Sequence, residues 1–168
     1  SEGFARTSQD STAAIRQITA TAGRLLGGVC ALCQTRNGSF LYTLAGWKAP
    51  KQLQHLQQQE GTVCYALIRM NRKAPLVLRE PAQTEFARTD PAVRLQRFKA
   101  LAGFPIRHRQ KTIGALTVFF KDHKNLSQAE LQLGTVLAKI LEDYLRIGRQ
   151  FSGVLQKQDV LRDYVRRL

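Results

Sequence analysis

Cys30 and Cys33 stand three residues apart in "CALC", a spacing that in a turn holds a metal or runs disulfide exchange. Here the pair falls inside "VCALCQ", an apolar run that reads as a strand. Residues three apart in a strand point to opposite faces, so the two thiols do not converge. Cys64 is the third thiol; it would sense oxidants if neighbouring arginines lowered its pKa, and otherwise serves as a small apolar residue. His55, His108 and His123 are scattered over a helix, a strand turn and a loop, and with the cysteines they form no zinc or iron–sulfur pattern. Paired carboxylates, a nucleophile elbow and a phosphate-binding loop are all missing, so neither catalysis nor a metal is expected of these residues.

The chain that must position any site has 168 residues, enough for one core and an extension. Three cysteines are too few and too odd in number for a disulfide framework, which fits a reducing, cytoplasmic setting. No apolar run approaches the length of a membrane span, and no signal-peptide pattern opens the chain. With Ser1 first and Met70 the single methionine, the chain reads as a piece of a longer protein. The net charge is +14, and residues 69 to 124 carry 13 Lys and Arg against Glu80, Glu85, Asp90 and Asp122. Such an excess suits an anionic or nucleic-acid partner, yet no recognition helix, zinc spacing or RNA-stacking signature accompanies it. A solvated basic surface is the preferred reading.

Ile15, Ile18, Ala22, Leu25 and Leu26 recur at helical spacing, so Asp10 to Leu26 is expected as an amphipathic helix ended by Gly27 and Gly28. "VCALCQ" and "FLYTLAGW" flank the Asn-Gly turn "RNGS" as a hairpin. Two short helices separated by Glu60 and Gly61, a brief strand closed by Pro81, and a helix over 90–101 with Pro91 at its first position follow. The stretch "GFPIRHRQKTIGALTVFF" supplies a second hairpin, and Ser127 with Glu130 makes a capping box that starts a helix with no stop before Leu168. Two glycines and a proline inside that hairpin need a reason. Gly103 and Pro105 suit a strand beginning beside a cavity, and Gly114 would let a helix press on the sheet without a Cβ between them.

In the last helix, Leu137, Tyr144, Phe151, Gln158 and Val165 fall at heptad a positions, and Ile140, Ile147, Val154, Leu161 and Leu168 at d positions. Nine of these ten are apolar. A repeat sustained beyond the core is the mark of a two-helix seam, with Gln158 setting register. The early repeats are expected to lie on the domain itself.

In this order, "EGTVCYALIRMNRKAPLVLREP", the second hairpin and "LSQAELQLGTVLAKIL" resemble the GAF domain, a small-molecule sensory module of bacterial signalling proteins. The resemblance spans roughly residues 10 to 144. It implies an α+β fold: a mostly antiparallel sheet of five to six strands, terminal helices on one face, short helices over the other, and a long C-terminal coiled-coil helix. It also implies a division into a disordered or linker segment 1–9, a sensory domain 10–145 and a signalling helix 146–168. A ligand of unknown identity would lie between the sheet and the short helices, against Tyr42, Trp47, Cys64, Tyr65, Ile68, Phe86, Phe98, Phe104 and Thr117. No cofactor is identified: the cysteine-histidine pair of bilin-carrying relatives, the residue set of cyclic-nucleotide binders and the cysteine arrangement of the free-methionine-sulfoxide reductases are not reproduced. The function so implied is a homodimeric sensor acting in cis on an output domain, by family habit a histidine kinase. The alternatives are an assembly module without ligand and an anion- or nucleic-acid-binding surface.

Overall fold

Two hairpins and a short strand at each edge make one sheet, and helices cover both of its faces. The computed structural model describes residues 2–54, 57–58, 60–94 and 98–146, with 2–10 and 57–58 described through their backbone alone. In chain order the elements are α1 (Glu2–Leu25), β1 (Cys30–Asn37), β2 (Phe40–Trp47), a 3-10 turn (Lys51–Leu53), β3 (Gln57–Gln58) and α2 (Val63–Arg69). After these come β4 (Leu76–Leu78), a second 3-10 turn (Pro81–Gln83), α3 (Phe86–Thr89), α4 (Pro91–Arg94), β5 (Ala100–His108) and β6 (Lys111–Phe120). A last helix, α5, covers 128–146.

The six strands run in the order β3-β2-β1-β6-β5-β4, every neighbouring pair antiparallel. β1 and β6 are central and nearly unbroken in burial, as expected of strands covered on both sides. One face carries α1 and α5: Ile15, Ala22 and Leu26 meet Ala31, Cys33, Phe104, Leu116 and Val118, and Leu137, Ala138, Leu141 and Leu145 close the cluster. The other face carries the short elements, with Leu53, Val63, Ala92 and Val93 over Cys30, Leu32, Leu101 and Phe119. Cys30 and Cys33 thus face opposite sides of the sheet, as strand geometry requires.

Several boundaries differ from the sequence reading. α1 begins at Glu2, so residues 2–9, expected as a disordered or linker segment, continue the helix; no proline interrupts them, and Gly3 lies in the first turn. Of the two short helices expected on either side of Glu60 and Gly61, the second forms as α2, while the described residues before it make a 3-10 turn and the two-residue β3. The end of the expected helix 90–101 is taken by β5, which starts at Ala100 because pairing with Phe120 outweighs helix propensity there. α1 stops as expected: Gly27, at φ +75°, takes the left-handed position, and the Gly28 N–H donates to the Gly23 carbonyl at 2.8 Å. The capping box also forms, with the Ser127 N–H donating to Glu130 Oε1 and the Glu130 N–H to Ser127 Oγ, both at 3.1 Å.

Gly103 and Pro105 sit in the middle of β5, not at its start. A Cβ on Gly103 would meet Leu67 Cδ1 of α2 at 3.0 Å, so this glycine, not Gly114, makes room for a helix. Pro105 lies beyond Gly103, the last residue that β4 pairs, where the outer side of β5 has lost its ladder. A Cβ on Gly114 would come within 2.1 Å of the Gln34 carbonyl oxygen, so the backbone of β1 occupies that space.

Candidate functional site

α2 and α4 are both short, and each needs its first N–H groups satisfied from outside. Thr62 caps α2, its Oγ accepting from the Tyr65 N–H at 3.1 Å. Asp90, ahead of Pro91, serves both helices: Oδ1 accepts from the Ala92 N–H at 2.9 Å and Oδ2 from the Val63 N–H at 2.8 Å. One buried carboxylate therefore ties the roof elements together across 27 residues of chain. Burial pushes the Asp90 carboxyl above its ordinary range, and the N–H groups of Val63, Ala92 and Val93 pull it back only in part.

Beneath this roof is a cavity of about 10 Å³ lined by Leu32, Gln34, Leu53, Thr62, Val63, Cys64, Asp90, Ala92, Leu101, Thr117 and Phe119. That is room for about one water, far below the several hundred Å³ of ordinary ligand pockets. Gln34, Thr62, Asp90 and Thr117 bring polar groups to an otherwise apolar lining. Gln34 Nε2 is engaged with Thr43 Oγ at 3.2 Å, and Thr43 donates to the Leu53 carbonyl, so the sheet side is tied to the 3-10 turn. A larger groove of about 360 Å³ lies outside the roof among Glu80, Pro81, Ala82, Gln83, Phe98, Lys99 and His123.

Of the residues expected to line a ligand space, Cys64 and Thr117 do line the cavity. Tyr65 and Ile68 are on α2, with Ile68 packed against Leu41 and Ala115. Phe86 packs on the same layer, and Phe98 meets Phe119 with ring centroids 4.7 Å apart. Tyr42, Trp47 and Phe104 belong elsewhere. Trp47 presses on Gly23 of α1, and Phe104 lies under Gly134 of α5, where an added Cβ would stand 2.2 Å from its ring. Tyr42 is exposed. The bulge between Cys33 and Gln34 skips Leu44, which puts Tyr42 and Trp47 in register with the terminal-helix side. The polar lining of Gln34, Thr62 and Asp90 escaped the sequence reading. The "DP" step was its legible sign, since an aspartate directly before a proline at the first helical position is a capping signal.

Along α5 the heptad divides its labour. Leu137 is 8% exposed and Tyr144 half-buried, both against the domain's own core, whereas Ile140 is 38% exposed beside Val136 at 53%. Leu137 and Tyr144 at a positions thus fill the domain, and Val136 at g with Ile140 at d make an outward apolar stripe. Ile147, Phe151, Val154, Gln158, Leu161, Val165 and Leu168 lie outside the described residues, as does His55.

All three thiols are free and buried. Burial pushes Cys30 and Cys33 up to about 12. It raises Cys64 further, with Cys33 and Asp90 nearby adding to the shift, so that thiol is protonated at neutral pH and a poor nucleophile. In native protein at neutral pH a disulfide reagent is expected to leave all three thiols unmodified for at least about a hundredfold longer than a free cysteine, and to titrate three in urea. Modification of Cys64 at the rate of a free thiol would restore its candidacy as an oxidant sensor.

Exposed basic residues sit on α1 (Arg16, Arg24), the roof (Arg88, Arg94), the β5–β6 turn (Arg109) and the far strand end (Lys121). The charge surrounds the domain and marks no single face. Among the described residues no group of three or more His, Cys, Asp or Glu could hold a metal, and no helix is long and apolar enough to cross a membrane.

The sequence matches the family model described as GAF domain over residues 10–145. No curated protein sequence matches the chain. The fold is similar to the GAF domain of an Acinetobacter phosphoenolpyruvate-protein phosphotransferase, with TM-score 0.71, 12% identity, and coverage of 89% of this chain and 93% of that one. It is also similar to a domain assigned to a two-component sensor histidine kinase of Sinorhizobium meliloti, with TM-score 0.64, 15% identity and coverage of 84% and 95%. Free methionine-R-sulfoxide reductase from Neisseria meningitidis, solved with its substrate, aligns with TM-score 0.68, 13% identity and 88% coverage of each chain. At these identities the likeness is one of fold.

Proposed function

Residues 10–145 of this chain belong to the GAF domain family, and from that premise we propose that the domain senses a small molecule and regulates an output domain attached to it. The observation that carries this reading is the small, partly polar space between the sheet and a roof hung on Asp90. The roof is built of short elements, none longer than seven residues, that pack on the sheet through Leu53, Val63, Leu67, Ile68, Ala92 and Val93, and it is the layer a ligand would displace. A ligand that binds the open arrangement more tightly than the closed one shifts the population toward it, by no more than its differential affinity.

We propose further that two copies pair through the terminal helices, along the outward Val136 and Ile140 stripe and its heptad continuation from Ile147 to Leu168, which lies outside the described residues. The output acts in cis, and a histidine kinase is the preferred one, in keeping with the sensor-kinase domain of similar fold. The reading is non-catalytic: the reductase neighbour shares the fold, while all three thiols of this chain are buried and protonated. The buried free thiols also suit a cytoplasmic setting.

The small size of the cavity favours a second reading, an assembly module that never opens. Native mass spectrometry of the protein purified from its own host addresses both. A dimer that retains a small molecule supports the sensor. A bare dimer favours assembly alone, and a bare monomer at tens of micromolar overturns both readings.

A further inference from the structure

Arg107 stands at a break in the sheet. The β5–β6 register shifts between Ile106 and Arg107, so the ladder passes over Ile113. The Arg107 N–H leaves the ladder and donates to Glu142 Oε1 of α5 at 2.8 Å. Its guanidinium turns the other way. Nη1 lies 3.1 Å from the Asn71 carbonyl, 3.3 Å from Asn71 Oδ1 and 3.3 Å from the Arg72 carbonyl, and Nη2 donates to the Gln110 carbonyl at 2.7 Å. Thr112 joins the same group, receiving Nη1 at 2.8 Å and donating to the Arg72 carbonyl, while its N–H donates to Asn71 Oδ1.

Asn71 is the residue that ends α2, held at φ +49° in the left-handed position that usually takes glycine. Arg109 and Gln110 in the adjoining turn share that strained conformation, at φ +49° and +66°. Two of these residues, Asn71 and Gln110, are therefore held by one side chain, and that side chain's own backbone is tied to the last described turns of α5. At its other end α2 is tied by its Val63 N–H to Asp90, at the cavity.

We infer that Arg107 is a positioning residue that couples the roof helix α2 to the exit helix α5. A roof displacement that moves Asn71 pulls on the guanidinium, and the same residue's amide carries the displacement to Glu142. The early end of β4 makes this possible, because beyond Gly103 the outer side of β5 has no partner strand and the Arg107 N–H is left for Glu142. The inference gives the proposed sensor its route from cavity to output and so rests on that reading, but its test needs no ligand and can succeed or fail whether or not one is found.

The test is hydrogen exchange of the full chain, with the roof loosened by Asp90→Asn. With Arg107 and Glu142 intact, exchange of amides in 138–146 is expected to rise about fivefold, a coupling of ordinary size. Arg107→Met cuts the tie to Asn71 and leaves the bond to Glu142; Glu142→Leu cuts the tie to α5 and leaves the guanidinium in place. In either background the Asp90→Asn effect on α5 is expected to fall below about 1.5-fold, whereas a side chain with only a structural role would leave that ratio unchanged. If Arg107→Met fails to fold, Arg107→Lys, which keeps the charge and loses the fork, and Glu142→Leu carry the test. An undiminished effect in the cut backgrounds, or none in the intact one, overturns the inference.

Discussion

Gly114→Ala is expected to cost the domain about 3 kcal/mol, at the upper end of the usual range for an overpacked core, visible as a lowered midpoint in equilibrium urea unfolding. The added Cβ would stand 2.1 Å from the Gln34 carbonyl oxygen and 2.9 Å from Thr35 Cα. Both belong to the backbone of β1, which cannot rotate aside as a side chain would. Gly114 pairs with Thr35 on one side and Ile106 on the other, so β6 is held between two strands at this point and cannot move away from β1 without disturbing β5. Two other glycines serve as controls. Gly103→Ala meets the flexible end of Leu67 at 3.0 Å, with the Leu76 carbonyl and Val63 only at ordinary contact distance, and Gly38→Ala meets nothing within 4 Å, although its φ of +63° costs about 1 kcal/mol. A loss at Gly114 no larger than at Gly38 would mean that β1 and β6 are less rigidly paired than their ladder indicates.

Asp90→Ala is expected to follow at about 3 kcal/mol, because it leaves the N–H groups of Val63 and Ala92 buried without an acceptor and removes the cap of α4. Asp90→Asn retains one oxygen and should cost less. The pH dependence then has a definite sign. Burial raises the folded carboxyl above its unfolded value near 3.8, so the folded state binds the proton more tightly than the unfolded chain does. The contribution of Asp90 is therefore complete below that value and falls as pH rises through the folded pKa. Measured as the difference between wild type and Asp90→Asn, the advantage of the aspartate should be larger at pH 4 than at pH 7. A difference that instead grows toward neutrality would show that the three backbone donors outweigh burial.

The two substitutions test different layers of the molecule. Gly114 belongs to the rigid centre of the sheet, whereas Asp90 holds the roof that a ligand would have to move. A protein weakened at Asp90 should keep its sheet while its roof exchanges faster, and that difference makes the Asp90→Asn background useful for following motion toward α5.

The order of elements was legible in the chain because each rests on local physics. The 3.6-residue spacing of Ile15, Ile18 and Ala22, the Asn-Gly turn, Pro91 opening a helix and the Ser127–Glu130 capping box all act within a few residues. Opposite facing of Cys30 and Cys33 followed from strand geometry alone. What the tertiary structure decided is which side of the sheet each residue serves. The single residue skipped at Leu44 puts Tyr42 and Trp47 in register with the terminal-helix face, and Phe104 answers to Gly134, thirty positions away. The acceptor for the Val63 N–H is 27 residues distant, and the Arg107 amide finds Glu142 35 residues on. A strand's two faces are equivalent until neighbours fill them, and a one-residue shift exchanges them. Local preference could therefore name the strands and helices, but only packing among distant segments could say which side chains share a site.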